Sequence, residues 1–355
     1  MRRLWTRLGC LLLAVLALAA SPAATAAPVH RIVAVGDLHG DFAAWRDIAR
    51  DAKLIDGKGS WSGRDATLMQ TGDVVDRGPD SLKILQDLVR LQQEALRARG
   101  QVIVLVGNHE AMNVTGDFRY VSAGDYAAFA DQRSAERREA IYAAKKDVIE
   151  VAYRQLDPQM SSDAIKEAWI KGTPLGFLEH QFAWGPDGAI GKWIVGNPAV
   201  VLLDGNLFVH GGISPAYTHI PIAEINRQVG AALKAQSPDE QAILNNPLGP
   251  LWYRGLAMPQ AVDSAAPLHD APAAAASIAS PAPPIETQVE NILSAYGAKR
   301  IVIGHTPNLS GIAVLYGGRL IQIDTGISAV YGGKVSYLEI LDGTPIPHVV
   351  ERSHH

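Results

Sequence analysis

Five short polar clusters each set a potential metal ligand beside glycine, directly after an apolar run. They are Gly36-Asp37-Leu38-His39-Gly40-Asp41, Gly72-Asp73-Val74-Val75-Asp76-Arg77-Gly78, Gly107-Asn108-His109-Glu110, His210-Gly211-Gly212 and Gly304-His305-Thr306. Asp37, His39, Asp73, Asn108, His210 and His305 offer oxygen and imidazole nitrogen, a mixture that suits Mn²⁺, Fe or Zn²⁺ better than Mg²⁺ or Ca²⁺. Two such ions about 3.5–4 Å apart can polarise a phosphoryl group from both sides and turn water into hydroxide near neutral pH. One carboxylate must then be shared, and the central Asp73 is the natural bridge. Arg77 adds a fork of donors that matches phosphate oxygens. His30, His180, His219, His269 and His348 lack this setting and read as surface or packed residues.

The clusters can meet only if the strands before them end on one edge of a sheet. Residues 31–35, 66–71, 101–106, 207–209 and 300–303 are short, β-branched and apolar, which predicts strands buried on both faces. Trp45, Ile48, Ala49 and Ala52 make a helical stripe after Asp41. Ile84, Leu85, Leu88, Val89 and Leu96 make another, which stops at Gly100. Alternating strands and helices imply an α/β sheet whose strand ends form a ligand crevice. Residues 311–315, 319–323 and 334–340 have no long helix between them and predict a meander. The expected fold is therefore α/β, a two-sheet β-sandwich flanked by helices.

Two stretches read as insertions in a domain spanning 27–355. Residues 117–197 are rich in Ala, Arg, Lys and Glu and predict a helical cap beside the site. Residues 256–286 are dominated by Ala and Pro, a composition that builds no core and predicts an exposed flexible loop.

At the N-terminus, Arg2, Arg3 and Arg7 precede an apolar run and the small residues 23–27, the order of a secretory signal peptide spanning residues 1–26. The apolar run is short for a membrane span, so the expectation is a periplasmic or secreted bacterial protein without stable membrane insertion. Cleavage would make the formal charge of −4 three units more negative. An acidic surface of that kind argues against nucleic acid as a partner. It would also remove Cys10, the only cysteine, and with it any thiolate nucleophile or ligand.

In this order the five clusters resemble the calcineurin-like metallophosphoesterases. The complete Gly-Asp-x-Val-Asp-Arg-Gly at 72–78 and Gly-Asn-His-Glu at 107–110 resemble the phosphoprotein-phosphatase branch. The exported context and the Pro-Leu-Trp-Tyr-Arg run ending at Arg254 resemble its bacterial Shewanella-like protein phosphatases. The resemblance implies that Asp37, His39 and Asp73 bind one ion, and that Asn108, His210 and His305 bind a second, with Asp73 shared. It implies two divalent ions, Mn²⁺ first and Fe or Zn²⁺ next, and in-line attack by a hydroxide held between them. His109 would protonate the leaving oxygen, Asp76 would orient His109, and Arg77 and Arg254 would clamp the phosphate with Asn108. The implied substrate is a phosphorylated protein or a small phosphomonoester. Near the end the chain departs from that branch. Asp324-Thr325-Gly326-Ile327-Ser328 stands where a Ser-Ala-Pro-Asn-Tyr stretch is usual, and Tyr331, shortly after, is the nearest candidate for a substrate-facing tyrosine. A similar Asp-Thr-Gly occurs in diadenosine tetraphosphate hydrolases, so a nucleotide substrate is the alternative. An inactive binding module on the same fold is the other alternative, and the complete ligand set speaks against it.

Overall fold

The computed structural model describes residues 30–237, 239, 242–258 and 283–351. The signal-peptide reading, and the loop reading for 259–282, fall outside them. Alternating apolar strands and amphipathic helices close into two five-stranded sheets. The first contains β1 (Arg31–Val35), β2 (Thr67–Gln70), β3 (Gln101–Val104), β9 (Ser336–Leu341) and β10 (Thr344–Val349), in the order β10-β9-β1-β2-β3. The second contains β4 (Val200–Leu203), β5 (Asn206–Val209), β6 (Arg300–Ile303), β7 (Ala313–Leu315) and β8 (Leu320–Gln322), in the order β4-β5-β6-β8-β7.

In each sheet three neighbouring strands run parallel and end in register. Val35 aligns with Gln70 and Gln70 with Val104; Val209 aligns with Ile303 and Ile303 with Gln322. All six strand ends therefore deliver the residues that follow them to one edge. Strand side chains alternate between faces. Ile32, Ala34, Met69, Phe208, Val302, Ile321, Leu338 and Ile340 fill the layer between the sheets. Their neighbours Val33, Val35, Leu68, Leu207, Val209, Ile301, Ile303 and Leu320 join the larger core under the helices.

Helix α1 (Phe42–Asp51) joins β1 to β2, and α2 (Ser81–Arg97) joins β2 to β3. Asp41 caps α1 by accepting from Ala44 N at 2.8 Å. Trp45 Nε1 ties α1 to α2 through Asp87 at 2.8 Å. Helix α3 (Asn108–Thr115) starts at the site itself. Five helices follow: α4 (Ala123–Phe129), α5 (Ser134–Leu156), α6 (Ser162–Gly172), α7 (Phe177–Trp184) and α8 (Ala189–Val195). Helix α5 pairs with α6, where Tyr142 and Trp169 lie 5.2 Å apart and Lys166 bridges to Glu139 at 2.9 Å. Helices α9 (Ile222–Ala235) and α10 (Ile285–Tyr296) cover the second sheet.

Several expectations change. Residues 311–340 are not a meander: β7 and β8 form a hairpin, but β9 crosses to the first sheet and pairs antiparallel with β1. Its residues Leu338 and Ile340 complete the intersheet layer, which a local pairing would leave open. Strands β4 and β10 are additional. β10 has an exposed, proline-containing outer face and so lacks an apolar signature. In α2, Val89 and Leu96 are exposed, Leu96 at 72%, while Ile84, Leu85, Leu88 and Leu91 are buried. At the margins of the Ala/Pro stretch, Leu256 is buried in the core and α10 begins at Ile285.

Candidate active site

The loops after the strands carry their polar residues on unusual backbone. His39, Asp73, Asp76, Arg77 and His305 have φ of 42°, 54°, 69°, 70° and 67°. Each such non-glycine conformation costs on the order of 1–3 kcal/mol and persists only where surroundings enforce it. Here a ladder of loop-to-loop hydrogen bonds does so. Leu38 N and His39 N both donate to Asp73 O, Gly40 N to Val74 O, Gly78 N to His39 O and Arg77 N to Tyr120 O, all at 2.9–3.0 Å. The buried Glu110 carboxylate accepts from Asp73 N, Val74 N and Gly107 N, each at 2.8 Å, which staples the β2 and β3 loops together. Glycine is required where the loops touch. A Cβ on Gly107 would lie 2.2 Å from Asp73 Oδ1, and one on Gly304 would lie 2.5 Å from Asp37 Oδ1.

Asp73 stands at the centre. Its Oδ2 lies 3.3 Å from His210 Nε2, 3.8 Å from His39 Nε2 and 3.9 Å from His109 Nε2. Asp37 Oδ2 is 4.0 Å from His39 Nε2, and both Asp37 oxygens accept from His305 N at 3.2 Å. Asn108 Oδ1 is 2.9 Å from His210 Nε2, and the His210 and His305 rings are 4.9 Å apart. The groups His39–Asp73–His109 and Asp73–His210–His305 each place their ligand atoms within 4.8 Å of one another, with Asp73 in both. His39 Nδ1 donates to Val75 O at 3.0 Å and His210 Nδ1 to Thr71 O at 2.9 Å, so each turns an Nε2 lone pair inward.

Such an arrangement calls for cations. The inward Nε2 of His210 meets two oxygen acceptors, and the buried Nε2 of His305 has no hydrogen-bond partner. Burial pushes Asp37 well above the usual carboxylate range, helped by Asp324 and Asp73. Burial, with Asp73 adding repulsion, lifts Glu110 to about 7 and Asp324 to about 6. Burial, then His109, lowers His39 to about 4; burial, then Arg254 and His210, holds His305 well below its ordinary value. Burial resists ionisation of Asp73 too, but His210, His109 and His39 outweigh it and pull Asp73 well down. Crowded acids beside neutral imidazoles are the donor set a divalent ion satisfies.

His109 differs from the other imidazoles. Burial opposes its charge, yet Asp73 and Asp76 outweigh burial and raise its pKa. Its Nδ1 is bound to Asp76 Oδ2 at 2.6 Å, while Asn113 Nδ2 donates to Asp76 Oδ1 at 3.0 Å. The open side is a cavity of about 300 Å³ faced by His39, Asp73, Asn108, His109 and His305. Arg254 and Tyr331 stand in its wall; Arg254 Nη1 donates to His305 O at 3.0 Å and to Thr306 Oγ1 at 3.2 Å. The Tyr331 ring lies 5.3 Å from that of His39. Arg77 is beside the cavity, its guanidinium 4.0 Å from the Tyr120 ring and 5.9 Å from the Tyr331 ring. All eleven residues singled out from the sequence thus fall in one neighbourhood. Sequence reasoning assigned nothing to Glu110, Tyr120 or Asp324. Glu110 and Asp324 had a legible signal, an acid within three residues of a glycine just past an apolar run. Tyr120 enters from the chain after α3 and had none.

The profile of the calcineurin-like phosphoesterase family matches residues 30–309, and the chain belongs to that family. It is 30% identical over 309 residues to Shewanella-like protein phosphatase 2 of Arabidopsis thaliana, covering 84% of this chain and 72% of that protein. It is 27% identical over 320 residues to Shewanella-like protein phosphatase 1 of Plasmodium berghei, covering 88% and 72%. The crystal structure of a cold-active protein-tyrosine phosphatase of a psychrophilic Shewanella shares the fold, with a TM-score of 0.59, 24% identity and coverage of 91% and 80%. The chain is a metal-dependent phosphoesterase, a hydrolase of phosphoric esters. Among the described residues no helix is long and apolar enough to cross a membrane.

Proposed function

We propose that the protein is an exported phosphatase that hydrolyses phosphomonoesters on proteins, with two divalent ions, Mn²⁺ foremost, as cofactors. One observation carries the reading of the centre: a single Asp73 oxygen lies within 3.9 Å of imidazole nitrogens from three separate loops. Asp37, His39 and Asp73 would hold one ion; Asp73, Asn108, His210 and His305 would hold the other. When bound as such a pair, divalent ions polarise phosphoryl oxygens and acidify water. The mixed carboxylate, amide and imidazole donors support Mn²⁺, with Fe and Zn²⁺ next.

The chain's own residues supply the rest. His109 presents Nε2 to the cavity with Nδ1–H held by the Asp76 carboxylate, the arrangement of a general acid that gives its proton to the leaving oxygen. Arg254, from the wall, and Arg77, steadied on Tyr120, bring positive charge to the phosphate, and Asn108 is placed to reach it. Tyr331 would bound the substrate on the His39 side. The names of the relatives support a phosphoprotein substrate, and the basic, apolar and small-residue order of residues 1–27 supports export to the periplasm or beyond. Elemental analysis of the purified protein, joined to turnover on phosphopeptides, small phosphomonoesters and diadenosine tetraphosphate, tests the reading. Two ions per chain and preference for phosphopeptides are expected; preference for the dinucleotide would overturn the substrate assignment.

A further inference from the structure

A sixth strand end reaches the site. Ile323 N donates to Ile303 O at 2.9 Å, continuing β8, so Asp324 leaves its strand as Asp37 and His305 leave theirs. Its backbone abuts the loop that carries Asp37, since a Cβ on Gly36 would lie 2.5 Å from Ile323 O and 3.1 Å from Asp324 Cα. The side chain is 3% exposed and forms part of the cavity wall. Oδ1 accepts from Gly326 N at 2.9 Å, which uses one of about four acceptor positions of a carboxylate. Asp37 and Asp73, both acidic, are the carboxylates beside it, so Asp324 brings a third buried acid to a site that also holds the orphaned Nε2 of His305. Three buried carboxylates repel one another wherever they are ionised. A cation reverses the sign of the same interactions.

We propose that Asp324 is a further carboxylate of the metal site, acting on the Asp37 side to tighten capture of a divalent ion. This rests on the two-ion reading above. Asp324→Asn isolates the charge, because the amide oxygen can still accept from Gly326 N. Asp324→Ser is the second variant, since a serine hydroxyl forms the same local turn. Mn²⁺ titration of the chelator-stripped full chain by calorimetry, with melting temperatures measured without and with Mn²⁺, gives readouts independent of turnover. Loss of a supporting carboxylate is expected to weaken one of the two ions by about 10–100-fold. The metal-free variant should melt higher than the metal-free wild type, and Mn²⁺ should raise its melting temperature by less.

A merely structural Asp324 would leave the metal-free melting temperature of Asp324→Asn unchanged or lower, with unchanged Mn²⁺ affinity, and that result would overturn the proposal. Wild-type affinity for both ions in either folded variant would overturn it too, while leaving the two-ion reading intact. A wild-type chain that binds no Mn²⁺, Fe or Zn²⁺ would remove both.

Discussion

Asp76→Asn is a sharp test of how His109 is armed. Asp76 offers two acceptor oxygens to two donors, His109 Nδ1–H at 2.6 Å and Asn113 Nδ2–H at 3.0 Å. An asparagine keeps the shape but offers only one acceptor. Asn113 can turn its amide over, because its Oδ1 is buried without a partner, but it then loses the bond from Nδ2 to His109 O at 3.0 Å. The fold should therefore lose about 1 kcal/mol, one ordinary hydrogen bond. The imidazolium loses more, because a charge-assisted bond worth about 1.5–3 kcal/mol becomes a neutral one worth about 0.5–1.5. The difference of about 1–1.5 kcal/mol corresponds to roughly 5- to 13-fold in kcat wherever the acid must deliver a proton. An alkyl phosphate needs that proton, whereas p-nitrophenyl phosphate, with an acidic leaving group, needs it far less. The assay compares kcat on the two esters with metal content measured in the same preparation. The expected outcome is two ions retained, the alkyl ester slowed by that factor, and the aryl ester nearly unaffected. Equal slowing of both esters would refute general-acid assistance, and departure of an ion would show that Asp76 supports the metals instead.

Three other perturbations probe different parts of the architecture. Asp73→Asn should remove both ions and turnover together, since Asp73 belongs to both ligand groups; elemental analysis finding two ions in an active variant would disprove the shared role. Gly107→Ala puts a methyl 2.2 Å from Asp73 Oδ1 and 2.4 Å from Asp73 N, so calorimetry should find weakened metal binding and melting should reveal about 1–3 kcal/mol of overpacking. Away from the site, His180 is buried among Phe118, Tyr126, Phe129 and Trp184, and burial lowers its pKa to about 4. Its folded pKa lies below the unfolded value of about 6.5, so the unfolded chain binds more protons between them and stability falls as pH drops from about 6.5 to about 4, by about 3 kcal/mol. Urea titrations of His180→Phe across that window should show a shallower loss than wild type; identical slopes would mean that His180 does not carry the effect.

The site was more legible than the fold around it, for a physical reason. A ligand at a strand end needs a short apolar run, a sharp turn and a polar side chain within a few residues, so its signature is local. Asp37, Asp73, Asn108, His210 and His305 all follow that pattern, and parallel register carries them to one edge. The destination of β9 is set by contacts more than 300 residues apart, such as Ile32 opposite Ile340, and nothing near residue 340 encodes it. The stripe of α2 was legible, but its limit was not. Whether Val89 and Leu96 are covered depends on what packs over the helix, not on their spacing.

Backbone strain explains why the site's geometry belongs to the whole fold. Five site residues adopt left-handed φ, and none is glycine. Left to local preference, each of those turns would relax and withdraw its side chain from the site. What opposes relaxation is the mutual bonding of the loops, with Asp73 O receiving two amides from the β1 loop and Glu110 receiving three from the β2 and β3 loops. The loops thus constrain one another, and the cost is met by the two sheets behind them. A site built this way trades stability of the empty protein for affinity. That is why the charge of Asp324 and the close approach at Gly107 are expected to act on metal binding in the same direction while acting on the metal-free fold in opposite ones.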